Sequence, residues 1–131
     1  WRAPISATDR RTVGVVVHHV AFVYPIEVDV ARIIASGKAN GTTWKDIANL
    51  NAKHAGDNAE IGKAAALDLL AKNSKEAAAG VRAFTDQELD TAASFGLSYG
   101  APVTAQFVIE DHALRHSWHH LAKIKEAVGR A

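Results

Sequence analysis

Residues 111–124 read DHALRHSWHHLAKI, and this stretch holds four of the seven histidines of the chain, His112, His116, His119 and His120. Neutral imidazole is a common ligand for zinc, nickel and iron. Three imidazoles on one ion leave a coordination position for water or substrate, the layout of a catalytic centre. Two more histidines, His18 and His19, follow the apolar run VGVVV near the start of the chain. With no cysteine present, a metal would have to be held by His, Asp, Glu or water.

The direction of each ring follows from helical periodicity at about 100° per residue. On a first helix, Val15, His19, Phe22, Ile26, Val30 and Ile33 share one stripe, with Val16, Val20 and Val23 beside it. His19 therefore points inward, and His18 points elsewhere with Arg11, Asp29 and Arg32. On a last helix the apolar arc carries Ile109, Ala113, Leu114, Trp118, Leu121, Ile124 and Val128. His120 lies inside that arc and His116 at its edge, an i, i+4 pair on one face. His112 and His119 fall on the charged sector with Arg115, Lys123 and Glu126, so these two and His18 are expected at the rim or surface. Asp111 and Glu110 read as charges on a helix face. Three inward imidazoles, His19, His116 and His120, would each cost free energy unless something satisfies their nitrogens together. A divalent metal does so.

Elements to carry these residues can be read along the chain. Strand signals are weak and Ala is abundant, so the expectation is an all-α fold. After an irregular WRAPIS, Thr8 or Ser6 is placed to cap a helix running to about Ser36, with Pro25 removing the hydrogen bond to the Ala21 carbonyl and kinking it. SGKANGTT reads as a loop, and Thr43 with Asp46 as a capping box for a helix from Trp44 to about Ala55. Helix resumes from Ala59 to about Phe84, Thr85 caps a short helix, FGLSYGAP is a loop, and Thr104 opens the last helix, ending near Gly129. Joined by loops, the long helices suggest an up-and-down bundle.

Composition narrows the partners. A chain of 131 residues with 48% apolar and 22% charged residues is expected to fold as one globular domain over residues 1–131. The formal charge of +1 and the lack of a Lys/Arg stripe argue against nucleic acid. Neither VGVVV nor VAFVYPI approaches the roughly 20 residues that span a bilayer, and no signal-peptide pattern is visible. No membrane partner and a cytoplasmic location are therefore expected. The chain contains no methionine, so a further N-terminal piece is expected upstream of Trp1.

The phrases RRTVGVVVHHVA and VIEDHALRHSWHHLAKI, a hundred residues apart, resemble the DinB-like (YfiT-like) superfamily of metalloenzymes; WKDIANLNAKHA and FTDQELDTAASF fit as well. Members have a tryptophan-containing leading loop, a helix with H-hydrophobic-A, and a last helix with an H-x-x-x-H pair. The resemblance places the metal ligands on His19, His116 and His120. It implies a four-helix bundle of DinB type with the ion near one end, the first family helix missing from this chain. That fourth wall would come from upstream residues or from a second protomer, hence a homodimer. It also implies a metal-dependent transferase or isomerase using a low-molecular-weight thiol of mycothiol or bacillithiol type, with the thiol and an electrophilic substrate as partners.

Three histidines accommodate zinc or nickel first, and iron or manganese as well. With water in place of thiol, the same site would be a metal-dependent hydrolase. A non-enzymatic ligand-binding or dimerisation module with a vestigial site is the reading from another class. Supporting groups for substrate or ligand orientation are Asn51, inward on the second helix with Trp44 and Ile47, His54 at the edge of that face, and Glu27, two turns after His19.

Overall fold

The computed structural model describes residues 1–129. Helix α1 spans Val13–Ala35 and starts at Thr12, whose hydroxyl accepts the Val15 N–H. Ser6 and Thr8 are not the caps, because they are used in a tight turn: the Ser6 hydroxyl accepts the Asp9 N–H at 2.9 Å, and Asp9 grips the Arg11 guanidinium through both oxygens. The first twelve residues thus fold back on α1, with the Val13 N–H on the Ala3 carbonyl and the Gly14 N–H on that of Trp1. Gly14 has to be glycine here, since a Cβ would stand 2.6 Å from the Trp1 indole.

Pro25 does not end α1, which continues unbroken to Ala35. Proline deprives the Ala21 carbonyl of its helical donor. The Asn73 side-chain amide, reaching across from α3 (Lys63–Arg82), donates to that oxygen at 2.8 Å. The helix closes on Ser36 and Gly37: the Gly37 N–H bonds the Ile34 carbonyl and the Lys38 N–H that of Ile33, with Gly37 at φ 73°. This double closure needs a left-handed residue, which glycine supplies without strain.

Helix α2 (Trp44–Asp57) begins with the expected Thr43–Asp46 capping box. Helix α3 starts later than Ala59, because Ala59–Ile61 turn through hydrogen bonds back to Gly56 and Asn58. Thr85 caps the short α4 (Asp86–Asp90). The all-α expectation needs one correction: β1 (Ala92–Ser94) pairs antiparallel with β2 (Pro102–Thr104). Three residues per strand are too few for an alternating pattern to register. Asn40 adds to this hairpin, donating to Ser94 and accepting from Gly96. A Cβ on Gly96 would sit 2.2 Å from the Thr42 carbonyl, so the approach of the two loops depends on it.

Thr104 opens the C-terminal helical run as expected, with α5 (Ala105–Val108) passing into a wider π turn over Ile109–Arg115 and then α6 (His116–Gly129). The fold is mostly helical. Helix α1 runs through its middle, packed chiefly on α3 and on the C-terminal run. Two apolar clusters fix its ends: Val13 and Val16 meet Ile5 and Ala127, while Ala31 and Ile34 meet Phe95, Ala105 and Val108. After Pro25 the buried line passes through Val28, Ala31 and Ile34, so Ile33 is exposed rather than inward. Taken whole, α1 is long and apolar enough to cross a membrane, which the separate apolar runs did not reveal; half of its most apolar window is buried within the fold.

Asn73→Ala would leave the Ala21 carbonyl without a donor. We expect a loss of about 1–2 kcal/mol of stability, read as a lower midpoint with an unchanged slope in chemical denaturation.

Candidate metal centre

The antiparallel course of α1 and the C-terminal run brings His19 opposite His116 and His120, between the two apolar clusters rather than near one end. His19 is 3% and His120 8% exposed, and His116 is half-buried. The Nε2 of His116 lies 3.3 Å from that of His19 and 2.9 Å from that of His120. One ligand atom from each ring falls within 4.8 Å of the other two. Nitrogens bound tetrahedrally at about 2.0–2.1 Å stand about 3.3 Å apart, so the spacing suits a metal.

Hydrogen bonding within the protein cannot satisfy this cluster. A neutral ring nitrogen carries either one proton or one lone pair, so the Nε2 of His116 can serve one neighbour well and leaves the other facing it. A cation accepts all three lone pairs at once. The three histidines can therefore hold a metal ion.

Electrostatics favours the neutral ligand form. Burial, with the other two histidines adding to it, pushes His19 down from 6.5 to about 3. Burial followed by His116 does the same for His120. On the far side of His116, its Nδ1 lies 3.1 Å from Glu27 Oε1, off the line of a good hydrogen bond. Glu27 is thus turned inward and not swung to solvent by Pro25. Burial raises its pKa, and His116 opposes this. A carboxylate behind a metal-ligating imidazole fixes the tautomer and ring orientation.

The triad forms part of the wall of a cavity of about 610 Å3. Asn51 and Glu27 line it, but His54 does not. His54 is buried beside His19 instead, and its Nε2 shares a 2.8 Å hydrogen bond with His18 Nδ1. His18 is accordingly half-buried and partnered, not a free rim residue. Asp111, His112, Arg115 and His119 also line the cavity. His119 and Arg115 are exposed at its rim, as expected for the charged sector, whereas Asp111 and His112 are half-buried, contrary to the helical wheel. The π turn explains most of this. Its hydrogen bonds run to the fifth residue, so the 100° step fails across Ile109–Arg115. His112 packs edge-on against Phe95, and Asp111 takes Arg115 in a two-pronged ion pair.

Elsewhere the apolar arc of α6 is only partly buried. Leu114, Trp118 and Leu121 form an exposed ridge beside a groove lined by Val17, Tyr24 and Leu70.

Purified protein is expected to bind close to one equivalent of zinc by metal analysis, and His116→Ala and His120→Ala to lose it. Glu27→Gln should keep the stoichiometry while weakening affinity by about 10–100-fold, measured by chelator competition. Because the folded-state pKa values of His19 and His120 lie below 6.5, the unfolded chain takes up protons first as pH falls. Stability of the metal-free protein should therefore be level above pH 6.5 and decline from there toward about 3. A His120→Leu variant should decline less in thermal melts across that interval.

Comparisons of the chain with protein-family models, with curated proteins and with solved structures give no match.

Proposed function

We propose that this chain is a metal-dependent enzyme that transfers or isomerises through a low-molecular-weight thiol, in the manner of the DinB-like proteins its sequence resembles. The observation that carries this reading is the convergence of three imidazole nitrogens on the wall of a cavity large enough for a small molecule. Zinc or nickel suits a three-imidazole set best, and iron or manganese also fits. When bound, such an ion lowers the pKa of a thiol or water at its open position.

The residues around it have separate tasks. Burial keeps His19 and His120 uncharged, so their lone pairs are free at neutral pH. Glu27 stands behind the His116 ring, 3.1 Å from its Nδ1. The chain has no cysteine, so a cosubstrate supplies the sulfur. In the transfer, the thiol loses its proton, sulfur forms a bond to an electrophilic carbon, and the leaving group departs with the electron pair of the bond it breaks. In isomerisation, sulfur adds to an activated double bond while the neighbouring carbon takes the proton, and elimination after rotation returns both.

Two neighbouring readings accompany this one. The exposed Leu114–Trp118–Leu121 ridge beside an apolar groove supports a homodimer, since a self-complementary surface of this kind is how identical chains pair. Water in place of thiol makes the site a hydrolase.

One set of assays separates them. Zinc- or nickel-loaded protein should accelerate the reaction of 2-mercaptoethanol with 1-chloro-2,4-dinitrobenzene, and His120→Ala should return it to the solution rate. Hydrolysis of 4-nitrophenyl acetate without any thiol requirement would reassign the site as a hydrolase. Neither activity in a metal-loaded protein would leave a binding module. Light scattering on the same samples reads the dimer.

A further inference from the structure

The wall of the cavity is divided, and the division says what kind of molecule it takes. Its ionisable side chains come mainly from the π turn and the start of α6, where His112, His116, His119 and His120 stand with Asp111 and Arg115. The facing surfaces come from α1, α2 and the hairpin and, apart from His19, Glu27, Asp46 and Asn51, are mainly aliphatic or aromatic: Ile26 and Val30, Ile47 and Leu50, Phe95 and Leu97.

Most of the charges are already engaged within the protein; the exception is Glu27, which faces His116 Nδ1 at 3.1 Å and has no hydrogen-bond partner for its buried Oε2 among the described residues. Asp111 is paired with Arg115, and the Asp46 carboxylate accepts from Thr43 in the capping box. Little fixed charge is left to recognise an ionic ligand. The apolar surface is what remains unsatisfied. On α1, Val28, Ala31 and Ile34 are fully buried, whereas the cavity-facing Ile26 and Val30 are only half-buried, as are Ile47, Leu50 and Leu97. Trp44 is held at the cavity by its indole N–H on the Leu97 carbonyl, yet 52% of its surface is exposed. Apolar side chains left half-covered in a concave wall regain free energy when a ligand covers them. The Asn51 amide offers a polar handle there, with no hydrogen-bond partner among the described residues.

We propose that the cavity selects a neutral small molecule with an alkyl or aryl body, laid along Ile26, Val30, Ile47 and Leu50, and with its reactive end at the histidine triad. This rests on the metal-site reading above and names the substrate class for it: a lipophilic molecule, not an ionic one. The volume of about 610 Å3 lies inside the roughly 300–1,000 Å3 of small-molecule sites.

The test uses two series of probes on the whole chain. Straight-chain hydroxamic acids from acetohydroxamate to octanohydroxamate are titrated by calorimetry into zinc-loaded protein. Primary amides of the same lengths are titrated into metal-free protein, followed by tryptophan fluorescence. Affinity should rise about threefold to fourfold per added methylene, the equivalent of about 0.8 kcal/mol, until the cavity is filled. Leu50→Gln and Ile47→Gln should each flatten that rise, so that octanohydroxamate loses more affinity than acetohydroxamate. Affinity independent of chain length in both series would overturn the proposal while leaving the metal site intact. A length-dependent amide series in protein that binds no zinc would uphold the apolar cavity and reject the metal reading.

Discussion

Everything else in this fold serves to bring three imidazoles together, two of which, His19 and His120, sit in surroundings that disfavour their protonated forms. Burial is the larger cause for His19 and His120, and the neighbouring His116 adds to it for both. That is why His19 and His120 fall to about 3. Such a cluster is tolerable only where the surrounding structure is stiff. The two apolar clusters provide this, one gathering Ile5, Val13, Val16 and Ala127 and the other Ala31, Ile34, Phe95 and Val108. They clamp α1 and the C-terminal run on both sides of the histidines, so the rings cannot relax apart by splaying the helices.

A different part of the structure makes the cavity. Helix α2 buries one residue, His54, which packs on His18, His19 and Phe22 of α1, and its earlier turns stand off from α1 across the cavity. Its beginning is fixed by backbone bonds of Asn40 to the hairpin and by the Trp44 indole on Leu97. The hairpin therefore spaces α2 away from α1, and the gap it keeps open is the cavity beside the triad. Tight packing at the histidines and loose packing beside them are separate outcomes of one chain, set by different segments.

Much of the site was legible because α1 is regular where it matters. The apolar stripe around His19 stays in phase from Val15 to Val23, and His116 and His120 lie in an ordinary α-helix, so a 100° wheel could aim all three. Local capping chemistry at Thr43, Thr85 and Thr104 was equally readable, being a matter of neighbours three residues apart. What was not legible depends on contacts distant in sequence or on departures from regular geometry. No local pattern announces the π turn that brings Asp111, His112 and Arg115 to the cavity. The fold-back of the first twelve residues rests on Trp1 meeting Gly14 and Ile61. A wheel also cannot tell a core face from an open one, so Leu114, Trp118 and Leu121 were placed on the apolar arc without showing that they stand in solvent.

Pro25 has a consequence that reaches beyond α1. A helix with all its hydrogen bonds made offers its neighbours a uniform surface along which they can slide by a turn with little penalty. The Ala21 carbonyl breaks that uniformity, because it is the point on α1 where the proline leaves an acceptor open to another helix. Asn73 is the residue of α3 that meets it. The defect thus acts as an index mark: it sets the height of α3 along α1. A proline in a helix interior is usually counted as damage, but here it gives two smooth cylinders a single axial alignment.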